Sequence, residues 1–137
     1  MDKHTKPLPR VTPDNQPFWD ACRRHELLVQ HCAACDATFL PPAPLCPHCL
    51  ELDPGWRVAS GRGQVTTFVE IHQNWFPAFA DDLPYNVAQI QLDEGPRLTA
   101  NLVDVQAADI EVGMPVEVVF DDVEPDFTLP RFRPVRT

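Results

Sequence analysis

Basic charge is the first thing this chain is short of. Lysine and arginine total 11 against 20 aspartates and glutamates, leaving −9 at pH 7. Neutralised phosphates supply most of the affinity of nucleic-acid binders, so an acidic chain with no basic stripe argues against that class. The few cations gather at the two ends, Lys3, Lys6 and Arg10 at one and Arg131, Arg133 and Arg136 at the other. Solvated tails explain them more simply than a phosphate site does. Long apolar runs are missing too. No stretch approaches the roughly 20 apolar residues of a membrane span. Met1-Asp2-Lys3-His4-Thr5-Lys6-Pro7 has no apolar segment of a secretory signal behind it, so a cytoplasmic location is expected. Serine is scarce and no Gly-x-Ser-x-Gly elbow occurs, which removes a common hydrolase nucleophile. Glycine numbers 5 against 16 prolines. The prolines spread over turns and ends without a repeat, so low-complexity disorder is not implied.

What the chain does hold is cysteine in a pattern. Cys32-Ala33-Ala34-Cys35 and Cys46-Pro47-His48-Cys49 are two Cys-x-x-Cys turns with 10 residues between them. A two-residue gap lets both thiolates of a turn point at one ion. Two facing turns put four sulfurs at the corners of a tetrahedron, the geometry of structural zinc. Iron in a rubredoxin-like site is the runner-up, since thiolates suit both metals. Four protein ligands leave no open position, so the metal is expected to be structural rather than catalytic. Redox chemistry would need one such turn beside a thioredoxin-like βαβ pattern, and none is visible. His31 and His48 read as neighbours of the ligands, and Cys22 as a small buried hydrophobe.

Along the chain, residues 1–14 read as an extended arm. Residues 15–26 read as a helix, with Asn15 as cap, Pro17 in the first turn, and Phe18, Ala21, Cys22 and His25 on one face. Trp19 falls off that face, on what should be the wetter side, which suggests packing on another module or another protein. Residues 27–31 and 38–40 form a strand and its return around the first metal turn, and residues 50–55, with an Asp-Pro-Gly turn, form a linker. The division is therefore arm 1–14, helix plus zinc ribbon 15–53, and a β module 54–137. In that module, alternating residues mark strands at 58–60 with 64–72, at 85–93, at 97–103 and at 116–120, with a closing segment at 127–132. Ser60-Gly61-Arg62-Gly63 bends the first of these, and residues 107–110 read as a helical turn. About five strands in 80 residues fit a small OB barrel, with a six-stranded SH3-like barrel as the alternative. The expected fold class is mainly β: an N-terminal helix, a rubredoxin-like zinc ribbon, then an OB-fold.

The order Pro17-Phe18-Trp19, Cys32-x-x-Cys35, Phe39-Leu40-Pro41-Pro42, Cys46-Pro47-His48-Cys49, Trp56, Ser60-Gly61-Arg62-Gly63, Pro84-Tyr85, Gly113-Met114-Pro115-Val116 and Leu129-Pro130-x-Phe132 resembles an acyl-CoA-associated family, domain of unknown function thirty-five. The resemblance runs from about Pro17 to Pro134, and only the cysteines are specific one by one. It implies zinc on Cys32, Cys35, Cys46 and Cys49. It further implies an accessory role in lipid metabolism beside a thiolase-like partner (thiolase, condensing enzyme or aldolase), binding acyl-CoA or bridging the enzymes that pass it on in a hetero-oligomer.

One loop stands out in the barrel half. Residues 72–80 lie between strands yet carry Trp75, Phe76 and Phe79. Such a loop either plugs the barrel end or offers a patch to acyl-CoA or to a partner. His72 near Asp81 and Asp82 could form an acid–base pair, a weak signal because geometry fixes such roles. The function expected is a non-catalytic acyl-CoA-binding scaffold subunit. The alternatives are a single-stranded nucleic-acid binder and a stand-alone acyl-CoA hydrolase or transferase.

Overall fold

The computed structural model describes residues 6–135, so Lys3 and Arg136 of the terminal clusters lie outside it. Pro17, with its φ already set for a helix, sits in the first turn of α1 (Gln16–Arg23). Phe18, Ala21 and Cys22 form its buried face, as their spacing requires. Asn15 does not cap α1. Its side chain folds the arm instead, accepting from the Thr12 N–H at 2.7 Å and donating to the Arg10 carbonyl at 3.1 Å. The helix stops at Arg23, short of the expected residue 26. His25 turns left-handed there (φ 61°), and the N–H groups of Arg24 and His25 close on the Ala21 and Cys22 carbonyls.

β1 (Leu28–His31) is buried along its whole length. It lies between β2 (Thr38–Phe39) and β3 (Gly55–Val58), antiparallel to both. The sequence reading counts residues 50–55 as linker and starts the barrel strands just beyond them. In the structure Gly55 pairs with His31 and Val58 with Leu28, so the ribbon's sheet runs on to Val58.

Five strands then coil into the barrel: β4 (Arg62–Ile71), β5 (Tyr85–Leu92), β6 (Arg97–Ala100), β7 (Pro115–Glu124) and β8 (Phe127–Pro134), in the order β6-β5-β4-β7-β8. A parallel bridge between Leu102 and Phe132 brings the two ends together. This is the five-stranded, nearly closed OB arrangement rather than a six-stranded one. A bulge between Val65 and Thr67 bends β4, as long first strands of small barrels must bend. Gly63 is required by proximity, because a Cβ there would run into the Gln91 carbonyl. Gly61 holds φ +83° against Val118.

Val65, Ile90, Leu92, Val116 and Phe132 fill the barrel. The same cluster continues without a break into Phe18, Cys22, Leu27 and Val29 of the helix and ribbon. A second, much smaller cluster of Cys32, Phe39 and Cys46 lies under the metal turns.

Candidate metal centre and apolar faces

The two cysteine turns are built alike. The Cys32 N–H donates to the Ala37 carbonyl at 2.8 Å, and the Asp36 N–H returns to the Cys32 carbonyl at 2.7 Å. The Cys46 N–H donates to the Glu51 carbonyl and the Leu50 N–H returns to the Cys46 carbonyl, both at 2.9 Å. Asp36 (φ 64°) and Leu50 (φ 67°) hold the left-handed position of each turn. The proline-bearing connector is tied to β1, since Gln30 accepts from the Ala43 N–H at 2.6 Å and donates to its carbonyl at 3.1 Å.

These turns gather the four predicted thiols, whose sulfurs all lie within 4.8 Å of one another. Cys32 and Cys49 are 3.6 Å apart, as are Cys35 and Cys46. A tetrahedral zinc–thiolate site, with bonds of about 2.3 Å, sets its sulfurs about 3.8 Å apart. The donor set therefore fits a closed Cys₄ metal site, and all five cysteines are free thiols. Burial opposes ionisation of Cys46, yet the N–H groups of Cys49 and His48 bring its thiol down to about 6. The Ala37 N–H favours the Cys35 thiolate, but desolvation and the neighbouring sulfurs push that thiol up to about 12. His31 is not a ligand. Its Nε2 is 2.6 Å from the Asp36 carboxylate, bracing the first turn. Cys22 is fully buried and its thiol is pushed up to about 12 by burial, as suits a core residue.

The aromatic loop does not plug the barrel. Trp75 is 67% exposed and Phe76 56%. A 3₁₀ helix, Pro77–Asp82, carries Phe79, half-buried between Phe76 and Tyr85 with ring centroids 6.1 and 6.3 Å away. The Lys6 ammonium stands 5.7 Å from the Phe79 centroid and 2.6 Å from Asp82. His72 pairs with Glu70 at 2.8 Å, not with Asp81 or Asp82 as the sequence suggests.

Sequence reasoning missed a groove of about 530 Å³ where the helix meets the barrel, lined by Phe18, Trp19, Leu40, Pro41, Leu98 and Leu129, with Arg97 and Arg131 also at its walls. Trp19 packs on the β module as expected, edge-on to Phe18 at 4.9 Å and against Phe127 of β8 at 5.1 Å. Its buried Nε1 has no hydrogen-bond partner among the described residues. Arg131 and Arg133 are not loose tail charges. Arg131 pairs with Asp121 at 2.8 Å and Arg133 with Glu117 at 2.9 Å across β7 and β8. No helix among the described residues is long and apolar enough to cross a membrane.

Comparison with known proteins agrees with this layout. Residues 19–54 match the family model "ChsH2, rubredoxin-like zinc ribbon domain", and residues 56–121 match "ChsH2, C-terminal OB-fold domain". The chain is 41% identical over 132 residues to a "Probable enoyl-CoA hydratase alpha subunit" of Thermomonospora curvata, covering 96% of this chain but 41% of that longer protein. It is 33% identical over 105 residues to a "DUF35 domain-containing scaffold protein" of Methanocaldococcus jannaschii, covering 75% of this chain and 73% of the relative. Among solved structures, a chain of the "Ltp2-ChsH2(DUF35) aldolase" superposes with a TM-score of 0.84 at 41% identity, over 93% of this chain and 98% of that one. The chain belongs to the DUF35 family of ChsH2-type zinc-ribbon and OB-fold proteins.

Proposed function

We propose that this member of the family is a non-catalytic scaffold subunit of acyl-CoA metabolism. It joins a thiolase-like enzyme (a thiolase, condensing enzyme or aldolase) in a hetero-oligomer, and the nucleophile and bases reside on that partner. One observation carries the reading: the near-complete match to the ChsH2(DUF35) chain of an aldolase. In this reading Cys32, Cys35, Cys46 and Cys49 hold one zinc ion whose work is structural, as four thiolates leave no vacancy for substrate. Such thiols stay free in a reducing cytoplasm.

Trp75, Phe76 and Phe79 are the contact we assign to the partner or to acyl-CoA. Exposed aromatic side chains of this size are what protein interfaces bury. An acyl chain has a second berth in the groove beside Trp19, whose walls are largely apolar. Nucleic-acid binding is further disfavoured, since Lys6, Arg131 and Arg133 are each engaged by a carboxylate.

The test is co-expression of the full chain with a thiolase-like subunit, followed by size exclusion and an acyl-CoA turnover assay. Trp75→Ala is expected to weaken assembly about tenfold or more while leaving the melting temperature unchanged, in line with an aromatic hot spot. Acyl-CoA turnover by the isolated chain would overturn the scaffold reading.

A further inference from the structure

β4 and β5 pair from Gly63–Leu92 out to Ile71–Tyr85, but their neighbours stop early. β7 pairs with β4 only over Arg62, Gly63 and Gln64, and the last bonds on that side join Val65 to Met114 and Gly113. β6 pairs with β5 only from Ala88 to Gln91. The distal hairpin therefore leaves the barrel as two strands alone.

Its two edges are not alike. On the β5 side, Asn86 does the work of a missing strand. Its side chain donates to the Leu102 carbonyl at 2.9 Å and accepts from the Leu102 N–H at 2.6 Å, while Asn101 donates to its carbonyl at 2.5 Å. On the β4 side, residues 66–71 meet no strand partner and no such clip among the described residues. Proteins usually blunt an open edge with proline, lysine or an inward charge. Here the edge reads Thr66-Thr67-Phe68-Val69-Glu70-Ile71, rich in strand formers and free of proline and lysine. Val69 is 53% exposed, and its cross-strand neighbour is Val87. Ile71 and Tyr85 continue that face toward Phe79.

We infer that residues 66–71 of β4 are the seat for one extended strand of the partner enzyme, flanked by lysine or arginine. This deepens the scaffold reading above and rests on it. Backbone hydrogen bonds along the edge supply affinity, and Val69 and Ile71 receive alternate side chains of the incoming strand. Charge selects the occupant. Glu70, Asp81 and Asp82 belong to the same hairpin and its connection; His72 meets Glu70 and Lys6 meets Asp82, Asp81 has no ion pair among the described residues, and the whole chain carries −9. A second copy would add its own Glu70 and Asp81, and a further −9, to the same seam, because a two-fold interface is self-complementary. A basic-flanked strand meets them instead.

The probe is a synthetic peptide, Arg-Val-Thr-Val-Thr-Val-Arg, added to the full zinc-loaded chain, with hydrogen exchange read residue by residue. Exchange within residues 66–71 is expected to slow at least tenfold. Glutamates at both peptide ends, or N-methylation of alternate residues, are expected to weaken binding at least tenfold, as is Val69→Lys in the protein. No binding at millimolar peptide, unchanged exchange at 66–71, or equal binding of the N-methylated peptide each overturns the inference. So does a dimer of this chain that Val69→Lys dissociates. A thiolase-like subunit that assembles while exchange at 66–71 stays unchanged overturns the strand seat alone. Failure of such subunits to assemble with the unaltered chain sinks the scaffold reading instead.

Discussion

Replacing Cys46 by serine should dissolve the metal knuckles and spare the barrel. The Cys46 side chain is fully buried, and its sulfur lies 3.6 Å from that of Cys35. A serine hydroxyl is a poor ligand for a thiolate site. The small cluster under the turns has Phe39 as its only buried side chain besides cysteine, with Ala37 and Ala43 partly covered beside it. Burying one phenylalanine contributes about 1.5–3 kcal/mol. That alone is too little to order two turns and their connector, each residue of which gives up backbone entropy. A structural zinc contributes far more, about 10–16 kcal/mol in zinc-finger peptides. β1 keeps its place, because Leu27 and Val29 belong to the barrel's own core. The variant should bind less than one equivalent of zinc, measured with a colorimetric chelator. The amides of Asp36 and Leu50, which close the two turns, should lose exchange protection while Ile90 and Val116 keep theirs. Losing the Phe39 contribution should lower the melting temperature by roughly 5–12 °C. Retention of stoichiometric zinc, or native protection at Asp36 and Leu50 in metal-stripped protein, would refute the reasoning.

Other tests reach the barrel. Gly63→Ala forces a methyl group onto the Gln91 carbonyl and to 3.0 Å from Ile90, so urea titration should show a loss of about 1–3 kcal/mol or more. The Thr128 hydroxyl at 2.6 Å, then the His25 ring at 3.0 Å, hold the Asp122 carboxyl below its usual range. A carboxyl depressed by folding stabilises above its unfolded pKa of about 3.9, and that contribution fades as pH falls through the folded value. Asp122→Asn should therefore flatten the decline of melting temperature below about pH 4, and an unchanged slope would count against the pairing.

The readable parts of this molecule were those coded by neighbours in sequence. Two residues between cysteines fix a ligand pair, and alternation over Tyr85–Leu92 marks a strand whatever lies beside it. Partners chosen across the fold were not readable. Asp-Pro-Gly at residues 53–55 is a sound turn signal, yet only the register opposite β1 decides that Gly55 meets His31. Arg131 and Arg133 look like tail charges until β7 sets Asp121 and Glu117 across from them. His72 has acids on both sides in sequence, and strand geometry gives it to Glu70. The groove beside Trp19 is assembled from α1, the Leu40–Pro41 turn, β6 and β8, segments too far apart for any local pattern to announce it.

Because one apolar interior runs from Phe18 through Val29 to Phe132, the inheritable piece is larger than either half. A gene cut near codon 54 would yield two products, each with a greasy flank bared to solvent and prone to clump. The piece is therefore expected to travel whole, and one longer relative aligns with 96% of this chain over 41% of its own length.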